Sequence, residues 1–113
     1  MLKAVFYEAA CEFHGFEISG HAGYGEAIDE KHGNDIVCAA VSSCTMLVCN
    51  AVTENFGADA EVTVEENRIL LRLKAYNTAA MKLLAAFYSH LDAISEDYSN
   101  VKLVIEDRMP DII

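Results

Sequence analysis

Two residues that could act as a nucleophile and its base lie on either side of a long glycine-containing segment. His21 directly follows residues 16–20, which alternate apolar and polar side chains as a strand does, and Cys38 opens a long apolar run. The 14 residues from His21 to Asn34 include three glycines and few apolar side chains. Connections of this length in compact domains are usually functional or disordered. The spacing predicts a strand-end histidine and a helix-start cysteine joined by a mobile lid.

The chemistry of Cys38 depends on where its helix begins. If Asp35 is the N-cap, Cys38 is the third helical residue, and the unpaired amides of the first turn favour its thiolate. A thiolate beside His21 would be a nucleophile for acyl transfer. Asp35 could orient and polarise His21 as a third catalytic member, or it could only cap the helix, and both roles stay open.

Each of these residues also has a structural alternative. Free cysteines are among the most buried residues, so Cys38 could simply pack in the core, as we expect for Cys44 and Cys49. His32 is a rival base, six residues before Cys38 but inside the long connection. The histidines and Cys38 show no C-x-x-C or H-x-x-x-H spacing, so we predict no metal site.

The remaining pattern predicts an α+β domain of order ββαββαβ. Segments that alternate with period two should form a small five-stranded sheet, and two helices should pack on one face of it. We expect a single domain spanning residues 1–113. The predicted elements are strands Leu2–Glu8 and Phe16–Gly20, joined by a short connection containing Gly15; a helix from Asp35 to Gly57; a hairpin over Ala60–Ala75 that turns at Glu66–Asn67; a helix capped by Asn77 or Thr78 and ending near Ser95; and a strand Val101–Asp107. The predicted apolar face of the first helix comprises Val37, Ala40, Val41, Cys44, Leu47, Val48, Ala51 and Val52.

Composition and charge exclude several classes of partner. The 18 acidic and 8 basic side chains give a formal charge of −10, which disfavours direct binding of nucleic acid or anionic lipid and favours basic ligands. Residues 36–53 carry no charge, but their polar side chains favour a buried helix over a membrane span. The first residues lack the pattern of a signal peptide, so we expect a cytoplasmic protein with reduced cysteines.

Two segments carry a resemblance to a known family. "SGHAGYGE" (Ser19 to Glu26) followed by "GNDIVCAAVS" (Gly33 to Ser42) resembles the paired signature of the ribosomal-processing cysteine proteases of Firmicutes and related bacteria. The length, the element order and the opening "MLKAVFYE" agree with this family, so the resemblance covers nearly the whole chain. The stretch between the two motifs, around Ala27 to Lys31, is somewhat longer than in the family.

The resemblance implies a cysteine endopeptidase that removes a short N-terminal extension from a basic large-subunit ribosomal protein, cutting after a hydrophobic, aromatic-containing sequence. Members of the family form homodimers and need no cofactor. Sequence alone also leaves open a non-catalytic acidic module that binds a basic ribosomal or assembly protein. The implied catalytic residues are Cys38, His21 and Asp35, and the implied substrate or loop residues are Tyr24, Gly23, Gly25 and Ser42.

Overall fold

Five strands form one mixed sheet in the computed structural model, which describes residues 2–20 and 32–107 and, for residues 32–35, the backbone alone. The spatial order of the strands is β3-β4-β2-β1-β5. Neighbouring strands are antiparallel except β5, which runs parallel to β1. The strands are β1 Leu2–Ala9, β2 Glu12–Ser19, β3 Ala60–Glu65, β4 Arg68–Leu73 and β5 Val101–Glu106.

Two helices complete the predicted order and pack on one face of this sheet. Helix α1 spans His32–Asn50 and continues into a π-helical turn, Ala51–Asn55, while α2 spans Thr78–Asp97. The side chain of Asn77 caps α2 by accepting a hydrogen bond from the Ala80 amide at 2.9 Å. The α+β architecture with two helices is therefore confirmed.

An aromatic cluster joins α2 to the centre of the sheet. Phe6 of β1 and Phe16 of β2 are fully buried, because both lie on the helix-facing side of the alternating strand pattern. The Phe87 ring lies 5.6 Å from that of Phe6 and 5.0 Å from that of Phe16, both at steep angles. These edge-to-face contacts fix α2 against the two central strands.

The connection between β1 and β2 differs from the prediction. Gly15 lies inside β2, opposite Tyr7, where the strand register shifts by a bulge. The chain reverses instead at Ala10 and Cys11, which have φ angles of 53° and 66°. Sequence did not indicate this turn, because left-handed backbone at two successive positions ordinarily favours glycine or asparagine.

Helix α1 also departs from the prediction at two places. It begins at His32, three residues before Asp35, because apolar periodicity marks only the buried part of a helix and polar residues can extend its first turn. Leu47, predicted to face the core, is 68% exposed, whereas Cys38 and Thr45 face the core. Val37, Val41 and Val48 face the core, and the 3.6-residue period turns Leu47 about 100° away from them.

The apolar segment Ile36–Asn55 is long enough to cross a membrane, with a mean hydropathy of 1.9. Only its length and composition suggest a membrane span, and the core helix of a globular domain meets the same criteria. In this fold the segment buries Val37, Val41, Val48 and Val52 in the core between sheet and helices. Within the most apolar 18 residues of the segment 39% are buried, so one side of it forms part of the core, as the predicted core helix requires.

Candidate functional site

Cys38 lies in the first half of α1 and is fully buried. It is the seventh residue of the helix rather than the third, so the unpaired amides of the first turn do not lie beside it. The helix-dipole contribution also falls off within the first turn. The argument that the helix start activates Cys38 is therefore wrong for this structure.

The other predicted site residues are described unequally. The backbone of Asp35 lies within the first turn of α1, so Asp35 is not the N-cap. Ser42 is exposed on α1, four residues after Cys38 and hence on the same side of the helix. The predicted catalytic residue His21 and the predicted loop and substrate residues Gly23, Tyr24 and Gly25 lie outside the described residues. The predicted lid runs from His21 to Asn34; residues 21–31 of it are likewise outside the described residues, whereas residues 32–34 belong to α1, so the prediction of a loop is wrong there.

The residue before His21 is held firmly by the neighbouring strand connection. Gly20 follows β2 with a φ of 74°, a left-handed conformation that glycine adopts without steric cost. Its amide donates a hydrogen bond to the carbonyl of Asn67, in the turn between β3 and β4, at 3.0 Å. The chain therefore leaves the sheet at a fixed point, as the prediction of a strand-end histidine requires.

A cleft brings this strand end and the middle of α1 together. Gly20 and Ser42 both line it, and its volume is about 230 Å³. Ser42 lies one helical turn, about 6 Å along the axis, beyond Cys38. The cleft therefore joins the backbone adjacent to His21 to the helix surface adjacent to Cys38.

The turn between β3 and β4 forms the rim of the cleft, and Arg68 fixes it in place. The Arg68 Nε donates to Glu17 at 2.6 Å and its Nη1 to Glu65 at 3.0 Å. These hydrogen bonds to carboxylates raise the pKa of Arg68, which stays charged. Tyr7 donates to the other oxygen of Glu17 at 2.9 Å. Sequence reasoning missed this group, because its members are distant in the chain and become neighbours only through strand register.

The remaining cysteines do not offer a competing nucleophile at the cleft. Cys49 is buried, and burial raises its pKa to about 11, so it stays protonated at neutral pH. Cys44 packs against the same core, as predicted for both residues. Cys11 is exposed in the turn between β1 and β2. None of the four cysteines forms a disulfide.

One family model matches most of the chain, and several solved structures share its fold. The family model described as cysteine protease Prp matches residues 1–102. The essential ribosomal processing protease Prp from S. aureus, in complex with a covalently linked product peptide, aligns with a TM-score of 0.80 and 22% identity, covering 94% of this chain and 100% of that one. The same protein with a substrate peptide gives a TM-score of 0.80 at 21% identity, with the same coverage.

A further solved structure has the same fold. SMU.848 from Streptococcus mutans aligns with a TM-score of 0.72 and 23% identity, covering 94% of this chain and 99% of that one. The search of curated proteins found no match. At these identities the solved structures establish the fold, while the family model covers most of the chain.

Proposed function

The chain belongs to the Prp family of ribosomal-processing cysteine proteases, and we propose that it removes a short N-terminal extension from a basic large-subunit ribosomal protein. The cut follows a hydrophobic, aromatic-containing sequence, with Cys38 as nucleophile and His21 as base. Family membership favours a protease over the non-catalytic acidic module. The S. aureus relative, crystallised with substrate and product peptides, supports a peptide as the substrate class.

The observation that carries the residue assignment is the cleft shared by Gly20 and Ser42. It links the position before His21 with the helix turn after Cys38, although the two are separated by a long connection in sequence. In the proposed reaction, His21 accepts the thiol proton and the thiolate attacks the peptide carbonyl carbon. The C–N bond breaks as His21 protonates the leaving amine, and water then hydrolyses the thioester. Asp35 is proposed to orient His21, since it does not cap the helix.

Full burial of Cys38 places a requirement on this mechanism. Its sulfur must meet the substrate carbonyl, so cleavage needs a bound state in which the sulfur is exposed to the peptide. The proposed function therefore couples peptide binding to exposure of the nucleophile, which limits attack on other proteins.

The decisive experiment incubates the protein with the unprocessed ribosomal proteins of its own organism and reads their N-termini by mass spectrometry. We expect one large-subunit protein to lose a short N-terminal segment. Cys38→Ala and His21→Ala should each reduce cleavage at least about 10³-fold, because either change removes the covalent path. Cys49→Ala, a matched thiol deletion away from the cleft, should still cleave. Normal turnover by Cys38→Ala would refute the assignment.

A homodimer acting in the cytoplasm completes the proposal. Ile36, Met46 and Leu47 are 63%, 46% and 68% exposed, and helix spacing places them on one side of α1, opposite the core. No charged residue occurs between Ile36 and Thr53, so this side of α1 can approach a second copy without bringing like charges together.

A further inference from the structure

The cleft between α1 and the turn joining β3 to β4 has a size and lining that suit one amino-acid side chain. Its volume of about 230 Å³ exceeds the roughly 150 Å³ of a cavity that holds benzene, but lies below the range of about 300–1,000 Å³ for drug-sized ligands. Leu2, Ile18 and Ile69 of the sheet and Val64 of β3 give it an apolar wall. An apolar side chain of an extended peptide fits this space.

Val64 shows that the apolar wall is incompletely covered. It is 65% exposed on edge strand β3, where its cross-strand neighbour is Ile69 of β4, which also lines the cleft. A ligand in the cleft would remove part of this surface from water, which stabilises binding in proportion to the apolar area covered.

The rim of the cleft carries an excess of negative charge. Glu65 and Glu66 line it together with Arg68, and Arg68 is already bound to both Glu65 and Glu17. Two carboxylates therefore already share the one guanidinium, and Glu66 adds a further negative charge at the rim. Glu66 forms no ion pair with any residue that the structure describes, so its carboxylate is available to a ligand. This charge complements a basic residue on the bound peptide.

We propose that this cleft is a specificity site of the protease, in which Val64 contacts an apolar side chain of the substrate and Glu66 selects a neighbouring Lys or Arg. The proposal rests on the proposed function and adds the residues that choose the peptide. A basic side chain at the rim would follow or precede the apolar one along the peptide, since the two parts of the cleft adjoin.

The test uses peptides that contain one apolar residue. At each position next to it in turn, one peptide carries Lys and its matched partner carries Gln. For the preferred position, the ratio of kcat/KM for the Lys peptide to that for the Gln peptide should fall about two- to fivefold in Glu66→Gln, the range of an exposed ion pair. The fall should shrink at high salt. Glu54→Gln, an equal charge change about 18 Å further along the helix than Ser42, should leave the ratio unchanged. An unchanged ratio in Glu66→Gln overturns the proposal.

A second pair of variants tests the apolar wall. Val64→Ser should raise KM for the apolar peptide about three- to tenfold, because the lost methyl contacts are made to bound substrate. Ile105→Ser, which alters a 45% exposed residue on the opposite edge strand β5, should leave KM unchanged. Equal effects of the two variants would contradict a site at Val64.

Binding to the inactive Cys38→Ala protein separates the two proposals. Fluorescence anisotropy should show that this protein binds the Lys peptide more tightly than the Gln peptide. The difference in affinity should disappear in the double variant Cys38→Ala with Glu66→Gln. Preference in binding without cleavage by the wild-type protein would support the cleft and refute the protease function. Cleavage with no dependence on Glu66 in either assay would refute the cleft and support the protease.

Discussion

At the scale of single residues, Tyr7 is an ionisable group that the fold holds in its neutral form. Its ring lies on the sheet face away from the helices, is 7% exposed, and donates its hydroxyl to Glu17. Burial and this hydrogen bond raise the pKa of Tyr7 from 10.0 to about 12. The same carboxylate accepts from Arg68, so Tyr7 and Arg68 together tie β1, β2 and β4 to one another.

The raised pKa of Tyr7 predicts a loss of stability in alkali. A group whose folded pKa exceeds its unfolded value stabilises the fold fully below the unfolded pKa, and this contribution is lost as pH rises toward the folded pKa. The free energy of unfolding should therefore fall by on the order of 2–3 kcal/mol between about pH 10 and pH 12. Urea melts at a series of pH values measure this fall.

Two tyrosine variants test whether Tyr7 causes the loss of stability in alkali. Tyr7→Phe should be less stable at neutral pH and should show a flatter decline above pH 10. Tyr76→Phe should behave like the wild type, since Tyr76 bonds Glu12 on the exposed surface, where solvent screens the interaction. A decline of undiminished slope in Tyr7→Phe would contradict the assignment.

The identity of Cys38 as a candidate nucleophile followed from sequence, but its surroundings did not. The motif and its place after a polar segment singled it out. Its position in the helix depended on where α1 begins, and polar residues 32–34 carry no apolar periodicity that would mark the start. The burial of Cys38 likewise depends on which side of α1 packs against the sheet. Contacts between residues far apart in the chain decide this, so the sequence near Cys38 does not reveal it.

At the scale of elements, the turn between β1 and β2 contains avoidable backbone strain. Ala10 and Cys11 both adopt positive φ angles in a two-residue connection. Such turns favour Asn-Gly, because side chains with a Cβ resist the left-handed region. Ala10→Asn combined with Cys11→Gly should raise the free energy of unfolding by about 1 kcal/mol, and thermal unfolding should shift upward by about 4 °C or more.

The other hairpin supplies the control for this prediction. The turn at Glu66 and Asn67 also has two residues, but neither has a positive φ. Asn67→Gly should therefore leave stability unchanged or lower it. Equal stabilisation at both turns would show that the gain does not come from relief of left-handed strain.

Local patterns predicted the elements well because each element has its own signal. Alternating apolar and polar residues predicted the strands. The turn at Glu66–Asn67 and the Asn77 cap are each specified within a few residues, and Gly57 ends the helical segment with a φ of 59°. The parallel pairing of β5 with β1 joins opposite ends of the chain. No local pattern specifies such a pairing, and the cleft could not be derived before the strand order was known.

At the scale of the whole molecule, the exposed apolar side of α1 is separate from the acidic rim of the cleft. The chain carries −10 overall, yet the exposed apolar residues Ile36, Met46 and Leu47 lie in a part of α1, residues 36–50, that contains no charged residue. The acidic rim of the cleft lies elsewhere, at the turn between β3 and β4. The negative surface suits a basic substrate, while the apolar side of α1 is the surface on which two such acidic chains repel each other least.

This segregation predicts a homodimer that pairs α1 with α1 across a two-fold axis, since the same stripe on both copies is self-complementary. Light scattering should give twice the 12.4 kDa chain mass at micromolar concentration. Leu47→Glu should produce monomers, because it places a charge in the centre of the apolar contact. Ile105→Glu, at an exposed position of edge strand β5, should remain dimeric. Monomeric wild-type protein would exclude the dimer, and dissociation by Ile105→Glu with a dimeric Leu47→Glu variant would place the interface at the sheet edge instead.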